Sequence, residues 1–207
     1  MSPSIFELTG PEEPALATAE VALDRGELVV LPTDTVYGLA ARPDLVEATG
    51  RLFRAKARPR GQTLPVLTAT TEEARRVGSL GRRGARLAER FWPGGLTLVV
   101  PRRPGAASWD LGEERATVAL RVPDHPVAQA LLARTGPLAV TSANRSGMPT
   151  PTDCDGVRRE LGDAVAVYLC AGTFTPVPST IVDLTGPEPR VLRAGALAPD
   201  GVLDALR

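Results

Sequence analysis

Apolar residues recur at helical spacing in several parts of the chain. The first such segment opens at Pro14, places Leu16, Ala19 and Leu23 on one face, and ends before Gly26. Pro suits the first turn of a helix, and Gly suits the position just past its end. The same reasoning predicts further helices at 44–55, just after Thr71, and at 82–91, 126–134, 153–161 and 199–206.

Short apolar runs bounded by Gly, Pro or polar residues predict strands between these helices. They lie at 27–31, 64–67, 96–100, 117–122, 138–141, 164–169, 179–184 and 190–193. Alternating strands and helices predict one α/β domain with an open, mixed sheet and flanking helices. The segment 102–114 lacks any period and contains Pro104, Gly105 and Gly112, so we expect a mobile surface loop there.

Composition excludes several classes of protein. The 207 residues include 24 basic and 24 acidic side chains, and a neutral chain is a poor match to an obligate nucleic-acid binder. Neither a signal peptide nor an apolar segment of membrane-spanning length is visible, so we expect a cytoplasmic protein with Cys154 and Cys170 reduced. The one histidine, His125, excludes a multi-histidine metal site and is predicted to cap the following helix.

Among the 24 basic residues Lys56 is the one lysine, and it lies with Arg58 at the predicted end of a helix, before Pro59, where we expect an exposed cation. Two interpretations are open. Cations at a helix C-terminus complement the helix dipole. A compact ammonium beside a guanidinium also suits a polyphosphate or a carboxylate, and this second interpretation explains why lysine stands where the chain otherwise uses arginine.

Hydroxyl-rich segments adjoin three predicted strands, at 32–39, 141–147 and 177–183. Loops at the carboxyl ends of strands line the ligand crevice of open α/β sheets, although capped turns use the same residues. Neither a G-x-x-x-x-G-K-[ST] nor a G-x-G-x-x-G phosphate loop is present. Ser142 lies outside any G-x-S-x-G elbow, which argues against a serine hydrolase.

Taken together and in order, these segments resemble the YrdC-like family of threonylcarbamoyl-AMP synthases. The matching motifs are PTDTVYGL (32–39), KARP (56–59), WPGGLT (92–97), ALRVPDHP (119–126), TSANRSG (141–147), STIVD (179–183) and LRAG (192–195). The resemblance implies a single YrdC-like catalytic domain over 1–207, with its core from about residue 14 and a concave basic face on a twisted sheet.

The resemblance also implies a reaction and its participants. L-Threonine, bicarbonate or CO2, and ATP would give threonylcarbamoyl-AMP and pyrophosphate, which makes the chain a nucleotidyltransferase in tRNA modification. Mg2+ would accompany ATP, with no organic cofactor and no protein metal site. A downstream threonylcarbamoyl transferase complex would take the product, and a direct tRNA contact is left open.

Carried onto this chain, the family pattern implies two binding sets and a catalytic pair. Thr35, Arg121, Ser142 and Ser179 would hold threonine, with Arg121 on its carboxylate. Lys56 and Arg58 would face the phosphates and the carbamate as catalytic residues. The nucleotide would contact Arg58, Gln62, Thr117, Asn144, Thr152 and Arg193.

The chain departs from the family pattern at two places, and two other functions are open. Leu67 stands where some members have a histidine, and Arg60-Gly61-Gln62-Thr63 replaces a commoner Asn-Pro pair. A carbamoyl-phosphate-dependent carbamoyltransferase uses the same module inside a much larger chain. An RNA-binding or ribosome-maturation factor is the other alternative, and the 4% aromatic content gives it no stacking platform.

Overall fold

The computed structural model describes residues 2–175 and 177–207. These ranges contain seven α-helices: α1 Glu13–Asp24, α2 Val46–Ala55, α3 Thr71–Val77, α4 Gly81–Phe91, α5 Pro126–Thr135, α6 Cys154–Leu161 and α7 Pro199–Asp204. They also contain ten strands: β1 Ser4–Glu7, β2 Val29–Leu31, β3 Gly38–Ala41, β4 Val66–Leu67, β5 Leu96–Pro101, β6 Thr117–Arg121, β7 Leu138–Ser142, β8 Val167–Cys170, β9 Thr180–Asp183 and β10 Arg190–Arg193. Single 3-10 turns lie at Pro104–Ala106 and Gly162–Ala164.

All ten strands form one sheet, in the order β1-β8-β2-β3-β7-β4-β6-β5-β9-β10. The β1–β8, β2–β8, β4–β6 and β5–β9 pairs are parallel, and the other five pairs are antiparallel. The predicted mixed α/β sheet with flanking helices is confirmed. Because distant parts of the chain become neighbours in the sheet, the ends of β6 and β7 and the start of β9 meet around one concavity.

Helices pack on both faces of the sheet, which explains the nearly continuous apolar runs of its central strands, whereas alternate residues of β5, β6 and β9 face a cavity. Val29 and Leu31 of β2 face the layer that α1 and α5 cover, whereas Val30 faces the opposite layer. The second layer includes buried residues of α2, α4 and α6, among them Leu52, Leu87 and Val157. No helix in the described ranges is both long and apolar enough to cross a membrane.

Two strands, β1 and β3, were not predicted. β1 is a short edge strand of largely exposed residues. β3 has the sequence Gly-Leu-Ala-Ala, whose glycine and alanines have low strand propensity, yet all four residues are buried between β2 and β7. A Cβ at Gly38 would lie 2.6 Å from Val140 Cγ1, so glycine permits the close approach of β3 to β7. Tertiary pairing, rather than local preference, decides this strand.

The segment 102–114 is packed onto the domain, contrary to the expectation of a mobile loop. Ala106, Asp110 and Leu111 are buried, and the backbone carbonyl of Leu111 accepts from the amide of Leu64 at 2.7 Å. Asp110 pairs with the guanidinium of Arg60, and with a second guanidinium from Arg115 at 3.2 Å. These long-range contacts leave no periodic trace in the sequence.

Two local expectations have opposite outcomes. His125 caps α5, because its Nδ1 accepts from the amide of Val127 at 3.3 Å, as predicted. The expectation of two reduced cysteines is wrong for this structure, in which Cys154 and Cys170 are joined by a disulfide. The first residue of α6 and the last of β8 are both buried and lie 5.5 Å apart at Cα, a proximity that only the fold creates.

Candidate active site

A concave cavity of about 380 Å³ opens where β6 and β7 end and β9 begins. It is lined by seven of the residues predicted from sequence: Thr35, Arg58, Thr117, Arg121, Ser142, Ser179 and Arg193. A larger groove of about 680 Å³ beside α1 and β8 is lined by none of them. The candidate chemistry is therefore concentrated in the smaller cavity.

Four other predicted residues do not line the cavity. Lys56 and Asn144 lie directly behind Ser142 and bind it. The side chains of Gln62 and Thr152 are exposed, and these residues contribute backbone carbonyls, to Arg58 Nε and to the amide of Phe174.

Arg121 is hydrogen-bonded to the loop between β2 and β3. Arg121 is 5% exposed, and it donates to Thr35 Oγ1 at 2.8 Å, to Asp34 Oδ1 at 2.6 Å and to the carbonyl of Gly94 at 2.9 Å. Asp34 also accepts from the amide of Asp124. Burial lowers the pKa of Arg121, while the charge of Asp34 acts in the opposite direction. The ion pair thus holds a charged guanidinium at the cavity wall.

Lys56 is buried, so the expectation of an exposed cation at the helix end is wrong. It is 1% exposed, and its Nζ donates to the carbonyl oxygens of Ser142 and Asn144 and to Asn144 Oδ1. An ammonium has three N–H donors, and three acceptors surround this one. Burial, assisted by the positive charge of Arg58, lowers the pKa of Lys56 to about 8. The lysine holds the turn after β7, and its contact with the phosphates and the carbamate stays a prediction from the family resemblance.

Asn144 completes that turn. Its Nδ2 donates to the carbonyls of Met148 at 2.7 Å and Arg145 at 3.0 Å, which orients Oδ1 toward the other side. Oδ1 accepts from Ser142 Oγ at 2.5 Å. The Ser142 hydroxyl is therefore held in place from behind by the pair formed by Asn144 and Lys56.

Ser179, on the opposite side of the cavity, is held by different means. Arg193 donates to its carbonyl from Nε at 3.0 Å and from Nη2 at 2.8 Å, and Nη2 is also 3.1 Å from Ser179 Oγ. The hydroxyl of Thr97 lies 2.8 Å from Ser179 Oγ. A Cβ at Gly195 would lie 2.2 Å from the carbonyl oxygen of Pro178, so this glycine allows the segment after β10 to approach Ser179 closely.

Positive charge dominates the cavity. Arg58, Arg121 and Arg193 line it, and burial lowers the pKa of each, with Arg193 also lowering those of Arg58 and Arg121. Within the described residues Arg121 alone of these three pairs with a carboxylate. Guanidinium groups that lack a counter-charge favour the binding of phosphate or carboxylate anions.

Three residues that sequence reasoning did not select contribute to this site. Thr33 and Asp34 organise the loop after β2, and Thr97 supports Ser179. Each lies inside a motif already quoted. The partners of Asp34 and Thr97 are 87 and 82 residues away in the chain, whereas Thr33 bonds within its own loop. Among the described residues no group of three or more His, Cys, Asp or Glu is arranged to hold a metal ion.

Comparison with known proteins identifies the family. The Sua5/YciO/YrdC family model, described as "Telomere recombination", matches residues 21–195. The chain belongs to the Sua5/YciO/YrdC family. A Mycobacterium tuberculosis relative, provisionally named a threonylcarbamoyl-AMP synthase, is 44% identical over 205 residues, covering 97% of this chain and 94% of the relative.

Other members of the Sua5/YciO/YrdC family are longer. The Bacillus subtilis threonylcarbamoyl-AMP synthase is 36% identical over 92% of this chain, which spans 56% of that protein. The crystal structure of Pyrococcus abyssi Sua5 complexed with L-threonine superposes with a TM-score of 0.86 and 32% identity. The superposition covers 99% of this chain and 60% of the Pyrococcus chain.

The two departures from the family pattern lie in different environments. Leu67 lines the cavity and is buried, so it presents an apolar surface where some Sua5/YciO/YrdC members have a histidine. Arg60 lies outside the cavity and pairs with Asp110, with its guanidinium 4.8 Å from the Phe53 ring centroid. The first departure lies at the cavity wall, and the second lies in the packing of the 102–114 segment.

Proposed function

We propose that this chain condenses L-threonine, bicarbonate or CO2, and ATP into threonylcarbamoyl-AMP and pyrophosphate. The observation that carries the proposal is the cavity itself, which brings three guanidinium groups and the hydroxyls of Thr35, Ser142 and Ser179 together. An amino acid needs hydrogen-bonding groups and a partner for its carboxylate, and a triphosphate needs cations. Family membership and the threonine-bound Pyrococcus relative support the same assignment.

The reaction requires two anions to approach each other. The neutral amine of threonine attacks the carbon of CO2 and loses a proton to give a carbamate; with bicarbonate the same attack gives the carbamate as water leaves. A carbamate oxygen then attacks the α-phosphorus of ATP, and the bond from that phosphorus to the bridging oxygen breaks as pyrophosphate leaves. Arg58 and Arg193 are the groups that reduce the repulsion between carbamate and phosphate, because they line the cavity without a carboxylate partner among the described residues.

Residue roles follow from position. Thr35, Arg121, Ser142 and Ser179 are proposed to hold threonine, and Arg58, Thr117 and Arg193 to contact the nucleotide. Lys56 and Asn144 are proposed to position Ser142, and the catalytic role of Lys56 and the nucleotide contact of Asn144 stay predictions from the family resemblance. For Gln62 and Thr152 the nucleotide role stays a prediction from the family resemblance.

ATP would enter with Mg2+ as part of the substrate complex. The carboxylate on the loop after β2, Asp34, is already bonded to Arg121 and to the amide of Asp124. The described residues thus offer no cluster of acidic ligands for a second, protein-held ion. We also propose that the chain works in the cytoplasm, that a separate transferase complex carries the product to tRNA, and that any tRNA contact is secondary.

Pyrophosphate release from ATP tests the proposal against both alternatives. We expect release that depends on threonine and bicarbonate together, with threonylcarbamoyl-AMP identified by mass spectrometry. Dependence on carbamoyl phosphate would indicate a carbamoyltransferase. If neither threonine with bicarbonate nor carbamoyl phosphate causes pyrophosphate release, and the protein binds RNA, the chain is a binding protein.

A further inference from the structure

The loop 57–64, which joins α2 to β4, holds the side chain of Arg58 by its own carbonyls. Arg58 donates from Nε to the carbonyl of Gln62 at 2.8 Å and from Nη2 to the carbonyl of Thr63 at 3.1 Å. A guanidinium has five N–H donors, so three remain for the cavity that Arg58 lines. The place of those three donors therefore depends on where the loop holds its carbonyls.

The loop 57–64 is in turn fastened to the segment 102–114 by backbone contacts. The amide of Glu113 donates to the carbonyl of Arg60 at 3.0 Å. A Cβ at Gly112 would lie 2.7 Å from the same carbonyl oxygen, so glycine permits the two backbones to approach this closely. The middle of the loop thus rests directly on the packed segment.

Asp110 supplies the side-chain part of this connection. It is 7% exposed, and both of its carboxylate oxygens contact Nη2 of Arg60. Arg115 Nη2 contacts the same carboxylate at 3.2 Å, but Arg115 belongs to neither the loop nor the cavity wall. Because Asp110 is shielded from water, its pair with Arg60 is stronger than a pair between two exposed side chains.

We propose that Asp110 is a positioning residue for Arg58. By binding Arg60 it fixes the middle of the loop, and the loop carbonyls then direct the three free donors of Arg58 toward an anion in the cavity. A preorganised cation stabilises charge without having to move, so Asp110 contributes to phosphate binding although it lines no part of the cavity. The inference rests on the proposed function, which takes Arg58 as a contact of the nucleotide.

A double-mutant cycle of nucleotide binding tests whether Asp110 acts through Arg58. Calorimetry gives the dissociation constant of a non-hydrolysable ATP analogue with Mg2+ for the wild type, Asp110→Asn, Arg58→Ala and the double variant. We expect Asp110→Asn to weaken binding about three- to tenfold, and Arg58→Ala about ten- to a hundredfold. The double variant should bind within about twofold of Arg58→Ala alone.

Two results of this cycle would overturn the inference. If Asp110→Asn weakens binding by the same factor with and without Arg58, Asp110 has a merely structural role. If Asp110→Asn binds the analogue as the wild type does, the pair with Arg60 does not position Arg58 at all.

Arg60→Met breaks the same pair from its exposed side, so it gives the answer if Asp110→Asn does not fold. Methionine keeps an apolar side chain beside Phe53, and the variant should behave in the cycle as Asp110→Asn does. Arg115→Met is the matched control, because it removes the other partner of the carboxylate and leaves the loop attached. It should bind the analogue within about twofold of the wild type. Equal weakening in Arg60→Met and Arg115→Met would overturn the inference, because the effect would then come from charge and not from the loop.

Amide hydrogen exchange of the ligand-free protein separates this inference from the proposed function. The amide of Glu113 reports on the contact between the segment and the loop. We expect Asp110→Asn and Arg60→Met to raise its exchange rate about three- to tenfold, and Arg115→Met to leave it within about twofold of the wild type. An unchanged rate in the first two variants would overturn the inference. Failure of the wild type to bind the ATP analogue would contradict the proposed function, and the exchange rates would still decide whether Asp110 holds the loop.

Discussion

The two sides of the cavity hold their serines by different physical means. On the lysine-held side, Lys56 and Asn144 fix Ser142 from the interior, and Lys56 is 1% exposed. On the arginine-held side, Arg193 of the edge strand β10 and Thr97 of the interior strand β5 fix Ser179. Arg193 lines the cavity, whereas Lys56 does not.

This difference indicates that Lys56 positions Ser142, whereas Arg193 can also contact a ligand. All three donors of Lys56 have protein acceptors, so its charge acts on the shape of the turn after β7. Arg193 uses Nε and Nη2 on Ser179, and its remaining donors are available to an anion. Two cations that look equivalent in the sequence should therefore fail in different ways when replaced.

The largest effect is expected from Lys56→Met. Methionine has a similar length but no donor, so it leaves the buried carbonyls of Ser142 and Asn144 unsatisfied. Each such acceptor costs about 1–3 kcal/mol, and we expect a net loss of about 2–4 kcal/mol in the free energy of unfolding at pH 7. Displacement of Ser142 should lower pyrophosphate release on the order of a hundredfold.

Urea unfolding and initial rates measure the two effects of Lys56→Met. Arg54→Met is the matched control, because Arg54 lies exposed near the end of the same helix. A stable Lys56→Met protein with wild-type rates would show that the lysine does not organise the turn.

Gly195→Ala should damage the arginine-held side almost as severely. The new Cβ would lie 2.2 Å from the Pro178 carbonyl oxygen and 2.6 Å from the Ser179 carbonyl carbon, so backbone must move. A shift of about 1 Å in Ser179 should lower the rate on the order of a hundredfold. Gly201→Ala in α7 is the control, since no atom lies within 4 Å of its added Cβ and alanine favours helix. Equal rates in both variants would contradict the close-approach argument.

The free energy of unfolding should rise with pH on account of Lys56. Its pKa is about 8 in the folded protein and ordinarily 10.5, so the unfolded chain binds more protons between these values. Stability therefore increases with pH across this window, by about 2 kcal/mol between roughly pH 7.5 and 9.5. Urea unfolding of wild type and Lys56→Met at both pH values isolates the effect. A pH-independent difference between the two proteins would mean that Lys56 titrates normally.

The smallest of these effects is expected from Arg193→Lys. An ammonium keeps the charge but loses the planar fork that contacts both the carbonyl and the hydroxyl of Ser179. We expect the KM for ATP to rise about tenfold with little change in the melting temperature. Arg190→Lys, at the exposed opposite end of β10, should leave KM unchanged. An unaltered KM in Arg193→Lys would remove this residue from the nucleotide site.

The residues of the candidate site were predictable from the sequence, but the position and contacts of each residue were not. Seven selected residues line one cavity, since the motifs that carry them follow or precede strands that meet in the sheet. The sequence singled out Lys56 through its unusual residue type, yet placed it on the surface. Its burial results from the approach of β7 and its turn, 86 residues further along the chain.

The amino-acid sequence by itself determined the mixed α/β class, most helices and strands, the family and seven residues that line one cavity. Apolar periodicity and local motifs carry that information because they act over a few neighbouring residues. Tertiary structure alone decided strands β1 and β3, the packed 102–114 segment, the Cys154–Cys170 pair and the burial of Lys56. Those features depend on partners distant in the chain, where the geometry of the sheet sets which donor meets which acceptor.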